Sequence, residues 1–313
     1  IGSEAFYYCR KLQEVRLPAC ETLSIGYRAF GNDDSLVYLY SRIADKAEGD
    51  ANLGKVALYT GAFTDANALK RLTVADGSVM KLTFYEYDST AEGITTGYFY
   101  CAPFSSKSLT EIRMDLSKIK VDFEYSRVEG GKVIPQYVRK DGTLRDLSTE
   151  YLLNYRYSEH CIPSNFFSGA TALTTVNAGT VGGKQYDVVI PEGVDLINYH
   201  AFWGVPIRSI YLPESLQIIG NEAFNETKLE ELDVSMVKTL GAFGRGTSVN
   251  DFGRSFKKII LSDELEYLET SLFAYLTNLE TVQVRAADGK LYGEEGAATV
   301  PSGVKTMGSY IYK

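Results

Sequence analysis

The chain has 313 residues, long enough for one or two ordinary domains, and a formal net charge of −8 from 32 Lys+Arg against 40 Asp+Glu. That balance argues against a nucleic-acid or anionic-membrane partner, which would call for a basic patch; the basic clusters are pairs such as Lys70-Arg71 and Lys257-Lys258. No stretch approaches the roughly 18 to 20 apolar residues of a membrane span, and no signal peptide stands at the start.

From its first residue the chain repeats one phrase: an aliphatic residue, three variable ones, Ala-Phe, about six more, then aliphatic-x-x-aliphatic-x-aliphatic. In chain order the regular copies are IGSEAF…VRL (Ile1 to Leu17), IGYRAF…YLY (Ile25 to Tyr40), LYTGAF…LTV (Leu58 to Val74), INYHAF…IYL (Ile197 to Leu212), IGNEAF…LDV (Ile219 to Val234) and LETSLF…VQV (Leu268 to Val284). Weaker copies are ITTGYF (Ile94 to Phe99) and IPSNFF…VNA (Ile162 to Ala178), and LGAF (Leu240 to Phe243) with FKKIIL (Phe256 to Leu261) is degenerate. Met307, Gly308, Ile311 and Tyr312 occupy the corresponding positions of a partial tenth.

Spacing excludes chance. From the Phe to the first strand aliphatic is six residues at Phe6, Phe30, Phe63, Phe167 and Phe273, and five at Phe202 and Phe224. Successive Phe residues lie roughly 22 to 36 apart where no insertion intervenes, a solenoid period. One unit buries too little alone. Stacking joins its Ala-Phe turn and its strand to those of its neighbours, giving parallel strands and a ladder of rings in a continuous core. One domain over 1–313 follows, with about nine repeats and a partial tenth, and irregular insertions near 41–55, 79–93 and 115–160. Ser41 to Lys55 reads as a surface loop or short helix, and Val79 to Tyr87 alternates like a strand. Val121 to Leu153 reads as a hairpin turning at Glu129-Gly130-Gly131-Lys132, a brace or a distorted repeat in preference to a ligand-contacting arm.

The phrase resembles the BspA-like leucine-rich repeat, clearest at Ile1 to Phe30, with AFYYC at Ala5 to Cys9, and from Val188 to Phe224. Between Met114 and Ile162 no Ala-Phe copy occurs. The resemblance implies an α/β solenoid with a parallel sheet on the concave face and short helices or 3₁₀ turns on the convex face. It also implies a bacterial, secreted or surface-displayed protein that binds host or matrix proteins or another surface protein.

Catalytic and metal signals are weak. Cys9, Cys20, Cys101 and Cys161 form no Cys-x-x-Cys pair, and the first expectation for them is small core hydrophobes, with a Cys9–Cys20 disulfide as the minority alternative. His200 is expected to face solvent, and His160 lies beside Cys161 without the setting of a catalytic pair. Gly244, Gly246 and Gly253 suit a connector rather than a phosphate loop. Acidic clusters such as Asp33-Asp34, Glu48 with Asp50 and Glu294-Glu295 lack calcium-loop spacing and are expected at the surface. No catalytic residue, metal or cofactor is therefore expected.

The residues flanking the middle strand aliphatic point away from the core. The candidate ligand-binding residues on this face are Tyr38, Tyr40, Arg71, Glu111, Arg113, Tyr211, Glu231, Asp233 and Lys258. Glu14, Arg16, Thr73, Thr175, Asn177, Ser209, Ile260, Thr281 and Gln283 complete the series. Charges on adjacent rungs could instead pair with one another. Tyr38, Tyr40 and Tyr211 are the aromatic anchors because exposed Tyr is enriched at binding hot spots. A recognition module for a protein ligand is the leading reading. A glycan binder, or less readily a glycan lyase using Glu231, Asp233 and Lys258, is the first alternative, and an architectural spacer the second.

Overall fold

The computed structural model describes residues 1–18, 23–89, 95–138, 142–146, 160–241, 255–268 and 271–307. Its principal sheet joins eight strands in parallel: Glu14–Arg16, Tyr38–Tyr40, Asp50–Leu53, Arg71–Val74, Glu111–Arg113, Thr175–Val176, Val188–Val189 and Ile210–Tyr211. A second stretch of the same pattern runs Glu231–Val234, Lys258–Ser262 and Thr281–Arg285. The backbone bridges the two stretches where the Lys228 N–H donates to Ile207 O at 3.0 Å.

Register explains why the aliphatic phrase is so regular. Val15, Leu39, Ala51, Leu72, Ile112, Val176, Val188 and Ile210 stand opposite one another, rung on rung, and form a single apolar column. All but the half-buried Val15 and Ile210 are sealed. Each residue covers the one above it, so the column has no wet interior face except at its ends.

A second set of short parallel strands carries the Ile of Ile-Gly. It runs through Leu23–Ile25, Val56–Leu58, the start of Val79–Ser89 and Lys120–Phe123, and separately through Cys161–Ile162, Leu196–Ile197, Ile218–Ile219 and Thr239–Leu240. The Gly that follows is required by coil-to-coil approach. A Cβ on Gly26 would lie 2.8 Å from Ser3 N, one on Gly220 2.7 Å from Tyr199 N, and one on Gly241 2.5 Å from Asn221 N.

The Ala-Phe segments form hydrogen-bonded turns, and the one helix among the described residues is the 3₁₀ turn Ile43–Asp45. Two positions in each regular turn adopt left-handed backbone. Two residues before the Phe these are Glu4, Arg28, Gly61, Asn165, His200, Glu222 and Ser271; two residues after it they are Tyr8, Asn32, Asp65, Gly169, Gly204, Glu226 and Tyr275. Left-handed geometry is costly for most of these residue types. It is held because it aims alternate N–H groups at the next coil. Glu4, Phe6 and Tyr8 donate to Tyr27, Ala29 and Gly31 at 2.8, 2.9 and 3.0 Å, and Phe202 donates to Ala223 at 2.8 Å.

Inside these turns the rings stack. Centroids are 5.6 Å apart for Phe6–Phe30, 6.2 Å for Phe30–Phe63, 5.9 Å for Phe104–Phe167, 4.8 Å for Phe167–Phe202 and 5.5 Å for Phe202–Phe224. Phe6 is half-buried and the others are sealed.

Several expectations are corrected. The stack position after Phe63 belongs to Phe104 of CAPF, whose Pro103 carbonyl accepts from Phe63 N–H at 2.8 Å, and not to Phe99. Thr95–Tyr100 instead pairs antiparallel with the outer half of Val79–Ser89. Ser41 to Lys55 is no simple loop, because Asp50–Leu53 is a full rung of the principal sheet. The hairpin expected to turn at Glu129 to Lys132 is present: Tyr125–Glu129 and Lys132–Val138 form an antiparallel pair turning at Gly130-Gly131, extended by Leu144–Asp146. Cys9 is exposed rather than a core residue, whereas Cys101 and Cys161 are buried, with burial pushing the Cys101 thiol far up. Cys20, Ala242, Phe243, Gly244, Gly246, Gly253, Gly308, Ile311 and Tyr312 lie outside the described residues.

Asp33 was expected at the surface and is buried. Its Oδ1 accepts from the Cys9 N–H at 2.7 Å, while Oδ2 is sealed without a hydrogen-bond partner. Desolvation raises its carboxyl, outweighing the Cys9 N–H, which lowers it. A raised folded value means that stability is greatest below the unfolded carboxylate range and is lost as pH rises through the folded value. Asp33→Asn keeps an acceptor for Cys9 and removes the buried charge. It should raise Tm at neutral pH, with the gap from the parent closing on acidification in a melting series.

Candidate functional site: the solvent face of the ladder

The same register that seals the apolar column places a polar column beside it. Tyr38, Asp50, Arg71, Glu111 and Thr175 stand in successive rungs, with Tyr40, Asn52, Thr73 and Arg113 in a parallel row. Further along, Glu231, Lys258 and Thr281 are in register, and so are Asp233, Ile260 and Gln283. Eight rungs at about 4.8 Å give the principal sheet a face roughly 34 Å long.

Much of the charge on this face is paired internally. Arg71 Nε donates to Asp50 Oδ1 at 2.6 Å, on the rung that the sequence reading missed, and not to its register neighbour Glu111. Arg113 pairs with Glu111 of its own strand at 2.5 Å. Lys258 reaches Glu295 at 2.7 Å rather than Glu231 or Asp233, and Asp233 binds Arg285 at 2.8 Å. Lys258 lowers the Glu295 carboxyl by this contact. Glu231 is exposed. Glu231, Asp233 and Lys258 therefore do not converge as the lyase alternative would need. Thr281 and Gln283, expected to be open, are buried beneath the segment after Leu291–Tyr292: Thr281 Oγ1 accepts from Gly296 N–H at 3.0 Å, and Gln283 Nε2 donates to Gly293 O at 2.9 Å.

The three tyrosines do not form one patch. Tyr211 is half-buried on the eighth strand and packs edge-on against Tyr186 at 5.8 Å, whereas Tyr38 and Tyr40 lie on the second. Tyr40 is only 3 % exposed, correcting its expected role as an open anchor. Its hydroxyl donates to Glu14 Oε1, and Lys46 Nζ caps the group, 2.6 Å from Glu14 Oε2, 4.5 Å from the Tyr38 ring centroid and 5.7 Å from that of Tyr40. Lys46 and then Tyr40 hold the Glu14 carboxyl below its ordinary value, and Glu14 raises both Lys46 and Tyr40. Lys46 carried no recognisable signal in the sequence because it lies in an insertion with no repeat to index it.

Two separate concavities lie at the carboxyl ends of strands. One, of about 400 Å³, is lined by Thr73, Arg113, Met114, Asn177 and Val189. The other, of about 600 Å³, is lined by Tyr211, Glu214, Gln217, Met236, Lys238 and Arg285. Tyr211 is thus placed at a concavity, and burial together with Glu192 and Glu214 raises its hydroxyl.

His200 is turned inward, contrary to expectation. Its Nε2 is 2.7 Å from Glu222 Oε2, and its ring stacks on Tyr199 at 3.6 Å and lies 4.7 Å from Trp203. This is an inter-coil contact at the turn edge, since His200 and Glu222 hold equivalent positions in adjacent repeats. No group of three or more His, Cys, Asp or Glu side chains arranged to hold a metal occurs among the described residues, and no helix among them is long and apolar enough to cross a membrane.

The BspA type leucine rich repeat region matches residues 1–44 and 183–289 in six copies. Similar solved structures include a leucine-rich repeat protein from Bacteroides ovatus, at 14 % identity and TM-score 0.40, over 77 % of this chain and 48 % of that one. The pneumococcal vaccine antigen PcpA aligns at 15 % identity and TM-score 0.31, over 93 % of this chain and 73 % of that one. A leucine rich cell surface protein from Faecalibacterium prausnitzii aligns at 17 % identity and TM-score 0.25, over 91 % and 82 %. The chain spans about half the length of the Bacteroides ovatus protein. No curated protein matches. Residues 1–44 and 183–289 thus carry six copies of the BspA type leucine rich repeat, and the same column of rungs runs between the two matched segments.

Proposed function

We propose that this chain is a non-catalytic recognition module, displayed at a bacterial cell surface or secreted, which binds a protein of the host, the matrix or another surface through the polar face of its ladder. On this reading the face is the concave side of the solenoid and the Ala-Phe turns form the convex side. The observation that carries it is the polar face of the eight-stranded sheet, where Arg71 and Arg113 project with side chains 49 % and 66 % exposed. A surface of that length suits a macromolecule rather than a metabolite, and its partly exposed ion pairs set orientation and encounter rate more than raw affinity.

The test is direct binding of the purified chain to immobilised matrix proteins, comparing the parent with an Arg71→Glu/Arg113→Glu variant and with an Arg127→Glu control on the antiparallel hairpin. Saturable binding that the double variant loses and the control keeps supports the reading. Binding indifferent to both ladder arginines, or no binding to any protein, contradicts it and leaves the spacer.

The concavity of about 600 Å³ favours a second reading, in which a glycan packs on Tyr211 and is hydrogen-bonded by Gln217, Glu214 and Arg285. Tyr211→Ala would then abolish binding to a glycan panel while leaving protein binding intact.

A further inference from the structure

Glu14, Tyr38 and Tyr40 make one corner of the ladder face, and the corner is filled from within the chain by Lys46. The arrangement combines the two attractions that recognise an alkylammonium ion: a carboxylate oxygen in hydrogen-bond contact and aromatic faces within cation–π range. It is also preorganised. Tyr40 is sealed in the sheet and orients the carboxylate by donating its hydroxyl to Glu14 Oε1, while Oε2 faces Lys46 Nζ. With Oε1 already engaged by Tyr40, a guanidinium loses the two-pronged match that is its advantage, which favours the compact ammonium of lysine.

Lys46 is carried on a strap that has little holding it down. The 3₁₀ turn Ile43–Asp45 contains no buried residue, and Ile43 is 63 % exposed. The Arg42–Asp45 pair at 2.7 Å is internal to the strap, whose ties to the sheet are hydrogen bonds such as Asn52 Nδ2 to Asp45 O at 2.6 Å and Gly49 N to Val37 O at 2.7 Å. Lifting the turn exposes the corner, Tyr40 included, and withdraws no buried residue of the turn's own from the core, as in a segment that opens locally.

We propose that Glu14, Tyr38 and Tyr40 form a binding site for the lysine side chain of a protein partner, and that Lys46 occupies it in cis until the partner's lysine displaces it. This rests on the recognition reading and deepens it by naming the chemistry of one contact. Mass action makes Lys46 a competitor, so removing its charge raises the apparent affinity for an external ammonium.

The probe is Nα-acetyl-lysine methylamide, titrated against the whole chain and followed through the tyrosine ring resonances. Lys46→Met, which keeps most of the stem and loses the charge, should bind it about tenfold more tightly than the parent. The gain should vanish in Lys46→Met/Glu14→Gln and with the neutral Nε-acetyl form of the probe, and the arginine analogue should bind less well. Lys46→Gln gives a second variant should Met at this exposed site promote association. No gain in either Lys46 variant, or a gain that survives Glu14→Gln, overturns the proposal. The Arg71→Glu/Arg113→Glu experiment leaves this corner untouched, so the recognition reading and the lysine site can fail separately.

Discussion

Phe202→Ala is expected to cost about 3–5 kcal/mol of stability, the range for emptying an aromatic core position. The ring is sealed between Phe167 at 4.8 Å and Phe224 at 5.5 Å. The cavity cannot close by drawing the coils together, because backbone bonds hold their spacing: Phe167 N–H donates to Ala201 O and Phe202 N–H to Ala223 O, both at 2.8 Å. Little relaxation leaves most of the lost contact unrecovered. Phe6→Ala is the comparison. That ring is half-buried with one stacking neighbour, so its loss should cost less than half as much in the same urea titration. Equal costs would mean that the stack does not determine the penalty.

The second large effect is expected at the motif glycine. Gly220→Ala places a methyl 2.7 Å from Tyr199 N and 2.9 Å from Asn198 C, both backbone atoms that hydrogen bonds on the neighbouring coil hold in place. Overpacking of this kind typically costs about 1–3 kcal/mol. Gly2 occupies the same place in the first copy of the phrase, and nothing lies within 4 Å of its added Cβ. Gly2→Ala should therefore be close to neutral in thermal melts, while Gly220→Ala lowers Tm. A matching loss at both sites would move the explanation from coil approach to glycine's own backbone freedom.

What could be read from the sequence is what the core repeats. The Phe stack, the aliphatic column and the Ile-Gly pair recur because each coil presents the same shape to its neighbour, and residues such as Phe30, Leu72 and Ile112 announce themselves by spacing. Phe104 escaped because Pro103 stands where the phrase has Ala, and Ile94 to Phe99 offered a better-looking match, of which Thr95 to Phe99 lie in an antiparallel strand. Asp50–Leu53 escaped because its coil has no Ala-Phe turn, leaving only the alternation of Ala51 and Leu53 to mark it. The paired left-handed positions were hidden by residue type: Glu4, Arg28, His200 and Glu222 are not residues that a turn requires, and inter-coil hydrogen bonding fixes them.

The face was less legible than the core. Alternation correctly put Arg71, Glu111, Arg113, Glu231, Asp233 and Lys258 beside the aliphatic column, but it could not say which charges meet. Arg71 found Asp50 on an unrecognised rung, Lys258 found Glu295 from a segment folded over the last rungs, and Tyr40 was covered by a strap whose Lys46 no periodicity could index. Pairing across a ladder depends on what lies on the neighbouring rung, and insertions change the neighbour without changing the phrase.

The central claim is that these coils stack in register, and ring-to-ring nuclear Overhauser contacts in a phenylalanine-labelled sample test it most directly. Contacts are expected between Phe6 and Phe30, Phe30 and Phe63, Phe104 and Phe167, Phe167 and Phe202, and Phe202 and Phe224, with none that skip a coil, such as Phe167 to Phe224. Missing contacts between adjacent members of the series, or direct ones between alternate members, would contradict it.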